Sequence, residues 1–288
     1  MQTFLPYDSF SRSAAVLDQA RLGKQRVETL QVLRALVIPD YGWQSHPAMK
    51  MWMGYVPALT AYGLAMTREW TSRGHADTVF EQLVEFAPEA ADGDVVLPPW
   101  FGDAAFHESH RSNLITKSPD FYAPLFPDTR EGLPYVWPEP EHPALPSEPS
   151  GDVLWVARPL TDKATGDSVI ELPMLSAKGT PIAGKKGRQL VRFLEDLDDG
   201  DDVVLLGADR SVLDVGTVGP AMLTNDTARR SVTVHGRISR GSFHYPALLQ
   251  DPRTLFRVPR PAGLYRTGVP EFNAEIAWSS RNRELSDS

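Results

Sequence analysis

The stretch Phe106 to Leu114, FHESHRSNL, concentrates side chains that move protons, bind metals or grip anions. On a helix His107 and His110 share a face at i,i+3, with Arg111 and Asn113 flanking them. Zinc hydrolases place their two histidines at i,i+4 with a glutamate adjacent, and that spacing is missing. Cysteine is absent from the chain, so a metal would depend on His, Asp and Glu alone, next to the positive charge of Arg111. No metal site is expected. Two roles stay open for the histidines. One is burial with a hydrogen bond to backbone; the other is a polar face beside an anionic ligand, where imidazole donates a bond or shuttles a proton near neutrality.

Two further runs carry similar chemistry. In RLGKQR, Arg21, Lys24 and Gln25 share one side of a helix with Arg26 at its edge. Guanidinium forks and a lysine point charge suit phosphate, and a solvated charged face gives the same pattern. In SHPAMKMWMGY, His46 and Lys50 alternate with Trp52 and Tyr55. Basic and aromatic residues interleaved serve a groove that holds a backbone and stacks bases, whereas aromatics at helical spacing also simply pack. No phosphate loop of the G-x-x-x-x-G-K-[ST] type and no G-x-S-x-G elbow occurs.

The elements that must position these residues divide at Pro138 to Gly151, PEPEHPALPSEPSG, whose prolines forbid a helix or a central strand. Before it the pattern is helical. One block opens on Asp8 or Ser9 as cap and carries Val27, Leu30, Leu33 and Leu36 at helical spacing. A second runs from His46 to His75, with Pro57 breaking its first turn. The third, from Asp103 to Lys117, holds the opening stretch. After the linker, short β-branched runs separated by Gly, Asp, Asn and Pro predict strands, with one helix near KGRQLVRFLEDL. The expected class is α+β: a compact helical domain over 1–137, a Pro-rich linker over 138–151, a small mainly-β barrel over 152–278 and a flexible tail over 279–288.

Composition sets outer limits. Apolar and charged fractions of 42% and 23% are those of a soluble globular protein. No apolar run approaches a membrane span, and the first residues lack a signal-peptide pattern, so the cytoplasm is the expected location. A formal charge of −8 argues against coating nucleic acid non-specifically and is compatible with a local basic groove.

In order and spacing, these pieces resemble the pyrimidine-dimer DNA glycosylase family, the phage endonuclease V type of repair enzyme. The resemblance covers roughly residues 1–137. It rests on RLGKQRVETL, a His-led second helix ending EWTSRGH, a PPW loop, a helix containing HES, and the aromatic run DFYAPLF…YVWP. It implies DNA as partner, no cofactor, and base flipping followed by attack of a protein amine on sugar C1′ to give a Schiff base, with a carboxylate assisting. The family's nucleophile is an N-terminal α-amine, whose ordinary pKa near 8 leaves it partly neutral at physiological pH. Here Gln2 follows Met1, a residue before which methionine is normally retained, and the position of the family's catalytic Glu, three before Arg26, is Gly23. The candidate nucleophiles are therefore Met1 and Lys24, with Glu28 and Glu108 as substitute carboxylates. His110 joins the catalytic set. Arg21, Arg26, Lys50, Arg111 and Lys117 would hold phosphates, and His46, His110 and Asn113 would line the nucleotide pocket.

The second half resembles PUA-like EVE modules, small β-barrels whose pocket accepts a flipped or modified base. The resemblance rests on DDVVLLGADRSVLDVGTVG, SVTVHGRIS and YPALLQDPRTLFRV, over about residues 152–262. It implies Trp155, Arg229, Arg230, His235 and Tyr245 near the pocket or its rim. Three functions stand at this point: a glycosylase and abasic-site lyase for damaged or modified DNA, a non-catalytic reader of modified or damaged nucleic acid, and an RNA- or nucleotide-handling protein.

Overall fold

The computed structural model describes residues 2–141 and 143–264. Met1 and the expected tail at 279–288 lie outside the described residues. Two compact units divide the chain, the first running to Ser150 and including Tyr245–Pro252, the second built from Gly151–His244 and the residues from Arg253 onward. Tyr245, which the sequence assigned to the second domain, thus belongs to the first unit, where its hydroxyl donates to the Phe86 carbonyl at 3.0 Å.

The first unit is helical: α1 (Phe10–Ala15), α2 (Gln19–Val37), α3 (Pro47–Lys50), α4 (Val56–Ser72), α5 (Phe80–Val84), α6 (Ala104–Lys117) and α7 (Pro119–Tyr122). Short polar side chains start the helices. Ser9 accepts from the Arg12 N–H, Asp18 from the Arg21 N–H and Asp103 from the Phe106 N–H, each taking up one of the four amide donors a helix start leaves unpaired. Pro57 sits in the first turn of α4, where its missing N–H costs nothing, so the break falls between α3 and α4 as expected. Leu22, Leu30, Leu33, Trp52, Leu59, Tyr62, Phe106 and Leu114 meet in one buried core. Val27 shares their spacing but faces out, 44% exposed. Gly63 lets α4 close on α2, because a Cβ there would stand 2.8 Å from Thr29 Cγ2.

The second unit is a mixed sheet of seven strands: β1 (Val153–Ala157), β2 (Leu160–Thr161), β3 (Ser168–Pro173), β4 (Asp202–Leu205), β5 (Val212–Leu223), β6 (Thr227–Ser239) and β7 (Leu255–Pro259). Their order is β2-β3-β6-β5-β4-β1-β7. Only the β1–β4 pair is parallel, and α8 (Gly184–Val191) lies in that crossover, so the expected inserted helix is present. The expected closed barrel is not: β2 and β7 end the order and no pairing joins them among the described residues. The strands are also longer than their glycines suggested. β5 continues through Gly216 and Gly219 as register shifts against β6 rather than ending in turns. Trp155, Ile170, Phe193, Leu205 and Val232 form the core under the sheet.

Candidate active site at the chain start

Residues 2–6 form no helix or strand, yet Gln2, Thr3, Phe4 and Leu5 are buried. A buried extended segment without a sheet must find partners for its amides elsewhere. Here helix side chains supply them. The Gln2 N–H donates to Glu28 Oε2 at 3.3 Å, the Phe4 N–H to Gln25 Oε1 at 2.9 Å and the Leu5 N–H to His110 Nδ1 at 3.1 Å. Tyr62 donates to the Phe4 carbonyl at 3.1 Å, His107 Nδ1 to the Leu5 carbonyl at 2.8 Å and Arg111 to the Pro6 carbonyl at 2.7 Å. The Thr3 hydroxyl accepts from the Trp52 indole at 3.0 Å. The dense chemistry of FHESHRSNL is thereby explained in large part: α6 grips the first residues of the chain.

The protonation states follow from these bonds. His107 Nε2 accepts from the Gly102 N–H at 3.0 Å, so its proton sits on Nδ1. His110 Nδ1 accepts, so its proton sits on Nε2. Burial, with His107 adding to it, pushes the His110 pKa down to about 3, and the ring is neutral at physiological pH. His110 is therefore a fixed hydrogen-bond group and no acid at neutral pH. Its Nε2, the Gln2 side-chain amide nitrogen and the Tyr135 hydroxyl are buried polar atoms with no hydrogen-bond partner among the described residues. The Tyr135 and His110 ring centroids are 5.4 Å apart, and burial raises the Tyr135 pKa while the adjoining Gln2 side chain acts to lower it.

Glu28 anchors the other side. Its Oε2 accepts both the Gln2 N–H and the Gln25 side-chain amide, the latter at 3.1 Å. Gln25 is in turn fixed by the buried Tyr62 hydroxyl at 2.5 Å. Glu28 also borders a surface groove of about 690 Å³ with Gly23, Lys24, Val27, Gln31 and Trp70. Gly23 is small for a packing reason, since a Cβ there would stand 3.1 Å from Trp70 Cζ3. The carboxylate that bonds Gln2 is Glu28, about one and a half turns further along α2 than Gly23.

From Tyr135 a line of rings leads outward. Tyr135 contacts Trp137 at 5.2 Å between centroids, Trp137 contacts His46 at 6.1 Å, and His46 contacts Trp43 at 5.9 Å. His46 caps α3 through Nδ1, which accepts the Ala48 N–H at 3.1 Å. Burial lowers its pKa, and Glu28 acts in the opposite direction.

The other sequence candidates separate by what they touch. Arg21 pairs with Asp18, and Arg26 pairs with Asp77 beneath the face of Trp70. Arg111 bonds Pro6 and Thr129, and Asn113 donates to the Ser109 and Leu133 carbonyls. These four hold the fold together rather than presenting free charge. Lys24, Lys50 and Lys117 are exposed and make no ion pair among the described residues. In the second unit Trp155 is buried on β1 with the Arg257 guanidinium 5.4 Å above its ring. Arg229 pairs with Asp162 and Glu171, Arg230 is buried against the Phe193 and Gly219 carbonyls, and His235 is exposed on β6. Adjacent on one strand, Arg229 and Arg230 face opposite sides of the sheet. Sequence reasoning placed Gln25 only beside the basic residues of α2, gave Tyr62 no part in the site and passed over Tyr135 and Trp43. A buried glutamine and tyrosine facing one another across two helices leave no periodic signal.

With this geometry in hand, the comparison with known proteins is specific. Residues 1–81 match the model of the pyrimidine dimer DNA glycosylase family. No curated protein and no solved structure matches the chain. The matched glycosylase segment contains Gln2, Gln25, Glu28, His46 and Tyr62 and ends before α6, Tyr135 and Trp137. Among the described residues no helix is long and apolar enough to cross a membrane, and no cluster of His, Asp and Glu is arranged to hold a metal.

Proposed function

We propose that the helical unit is a DNA glycosylase and abasic-site lyase acting on damaged or modified duplex DNA. The observation that carries this reading is the Glu28 carboxylate, 3.3 Å from the Gln2 backbone nitrogen, within the segment that matches the glycosylase family. The amine of this reading is Met1's, or Gln2's if Met1 is removed, and the Gln2 nitrogen has a carboxylate at hand. The amine lone pair attacks C1′ of an extruded nucleotide, the bond from C1′ to the base breaks, and the base leaves with the electron pair and takes a proton from water. The amine then sheds a proton, the C1′–O4′ bond breaks with O4′ taking up a proton, and the C1′=N Schiff base forms. Removal of a C2′ proton then expels the 3′ phosphate, and water releases the sugar. Glu28 is the group to receive the shed protons. No step calls for a cofactor.

Exposed Lys24, Lys50 and Lys117 are the phosphate contacts of this reading, and the cytoplasm is its setting. The second unit is assigned to reading a base in the manner of PUA-like modules, a role supported by the sequence resemblance and the exposed His235.

Borohydride reduction in the presence of abasic-site DNA tests the amine, and peptide mapping of the adduct assigns it to Met1, Gln2 or Lys24. Lesion binding with no adduct and no released base would leave a non-catalytic reader in its place.

A further inference from the structure

Trp43 is 58% exposed and has φ +71°, in a turn where Asp40 also has φ +56°. Left-handed backbone is costly for a bulky residue, and such strain persists only where the surroundings enforce it. Here they do. The Gln44 side-chain amide donates to the Ala35 and Ile38 carbonyls, both at 3.1 Å, and pins the turn to the end of α2. The indole gains little burial from this arrangement, so packing does not explain it. What it gains is position. Trp43 is the outer end of the ring line Trp43, His46, Trp137, Tyr135, His110, whose inner end holds Leu5 beside the Glu28 site. Exposed Lys50 lies on the short helix that His46 caps.

A nucleotide pulled from a duplex leaves unstacked neighbours, and an aromatic face recovers part of that loss. A flat apolar surface, held at the edge of a polar site whose neighbouring helix carries a lysine, suits a DNA base better than a protein side chain. We propose that Trp43 stacks against the duplex at the gap left by the extruded nucleotide. This rests on the glycosylase reading of the helical unit.

The test uses the full chain, Trp43→Ala and Trp43→Gly, and one abasic strand offered single-stranded and paired, with 2-aminopurine opposite the abasic site. Extrusion is needed only in the duplex. The expected result is a loss of borohydride trapping roughly tenfold or more larger on the duplex than on the single strand. The wild type quenches 2-aminopurine by stacking and the variants do not. Trp43→Gly melts no lower than wild type, because glycine relieves the left-handed backbone. Equal trapping losses on both substrates, unchanged quenching in the variants, or a marked fall in melting temperature overturns the stacking role. A wild type that quenches 2-aminopurine without trapping removes the amine chemistry and leaves the stacking. A wild type that neither binds nor traps removes both.

Discussion

Glu28 Oε2 accepts the backbone N–H of Gln2 at 3.3 Å and is itself braced by Gln25, so a carboxylate and the start of the chain are held in one fixed relationship. Glu28→Gln keeps an oxygen for the Gln2 N–H and removes the proton acceptor. Borohydride trapping on abasic-site DNA is expected to fall by about a hundredfold or more, with little change in melting temperature. An undiminished rate would separate Glu28 from the chemistry.

Acid should loosen the same site through His110. Its folded pKa of about 3 lies below the ordinary 6.5, so the unfolded chain binds the proton more readily between those values. Its contribution to stability is complete above pH 6.5 and declines as pH falls toward 3. His110→Phe should show a shallower loss of melting temperature across that window, measured by calorimetry between pH 7 and pH 4.

Arg26 and Lys50 should differ in kind. Arg26→Ala strips the buried Asp77 carboxylate of its cation while Asp77 still caps the Val79 and Phe80 amides. A destabilisation of about 3 kcal/mol is expected in urea unfolding, with the salt dependence of DNA binding unaltered in the folded variant. Lys50→Ala should leave stability near wild type and reduce the logarithmic salt slope by about one.

Gly23→Ala should be destabilising, opposite to the usual gain from replacing a helical glycine. The Trp70 ring it meets has little room to give, held by Arg26 on its face, stacked on His75 at 4.1 Å and tied through its indole N–H to the Ala76 carbonyl. A loss of about 1 kcal/mol is expected by chemical denaturation, and a gain in stability would mean that the indole moves freely.

Much of the helical unit was legible because its signals are local. Ser9 and Asp103 cap where short polar residues precede an apolar period, and Pro57 falls where a first turn tolerates it, but the break at Asp18 that splits the first block into α1 and α2 was missed. The strands were legible from β-branched runs, but closure into a barrel was not, since it depends on whether β2 meets β7, a relation no local pattern encodes. The site was half visible. His107, His110 and Arg111 announced chemistry, but their partner is the backbone of residues 5 and 6, and backbone carries no letter in a sequence. Arg21 and Arg26 read as free charge because Asp77 lies 51 positions from Arg26 and because Asp18, three positions before Arg21, was passed over as its partner.

His107 and His110 bond the carbonyl and the amide of a single residue, Leu5. Two rings one helical turn apart thus act as a gauge, because only one residue of an extended chain can span both. A residue inserted between Gln2 and Leu5 would slide Gln2 by about 3.4 Å relative to Glu28, enough to break the bond between them. Insertions between these two residues should therefore be far less tolerated than substitutions.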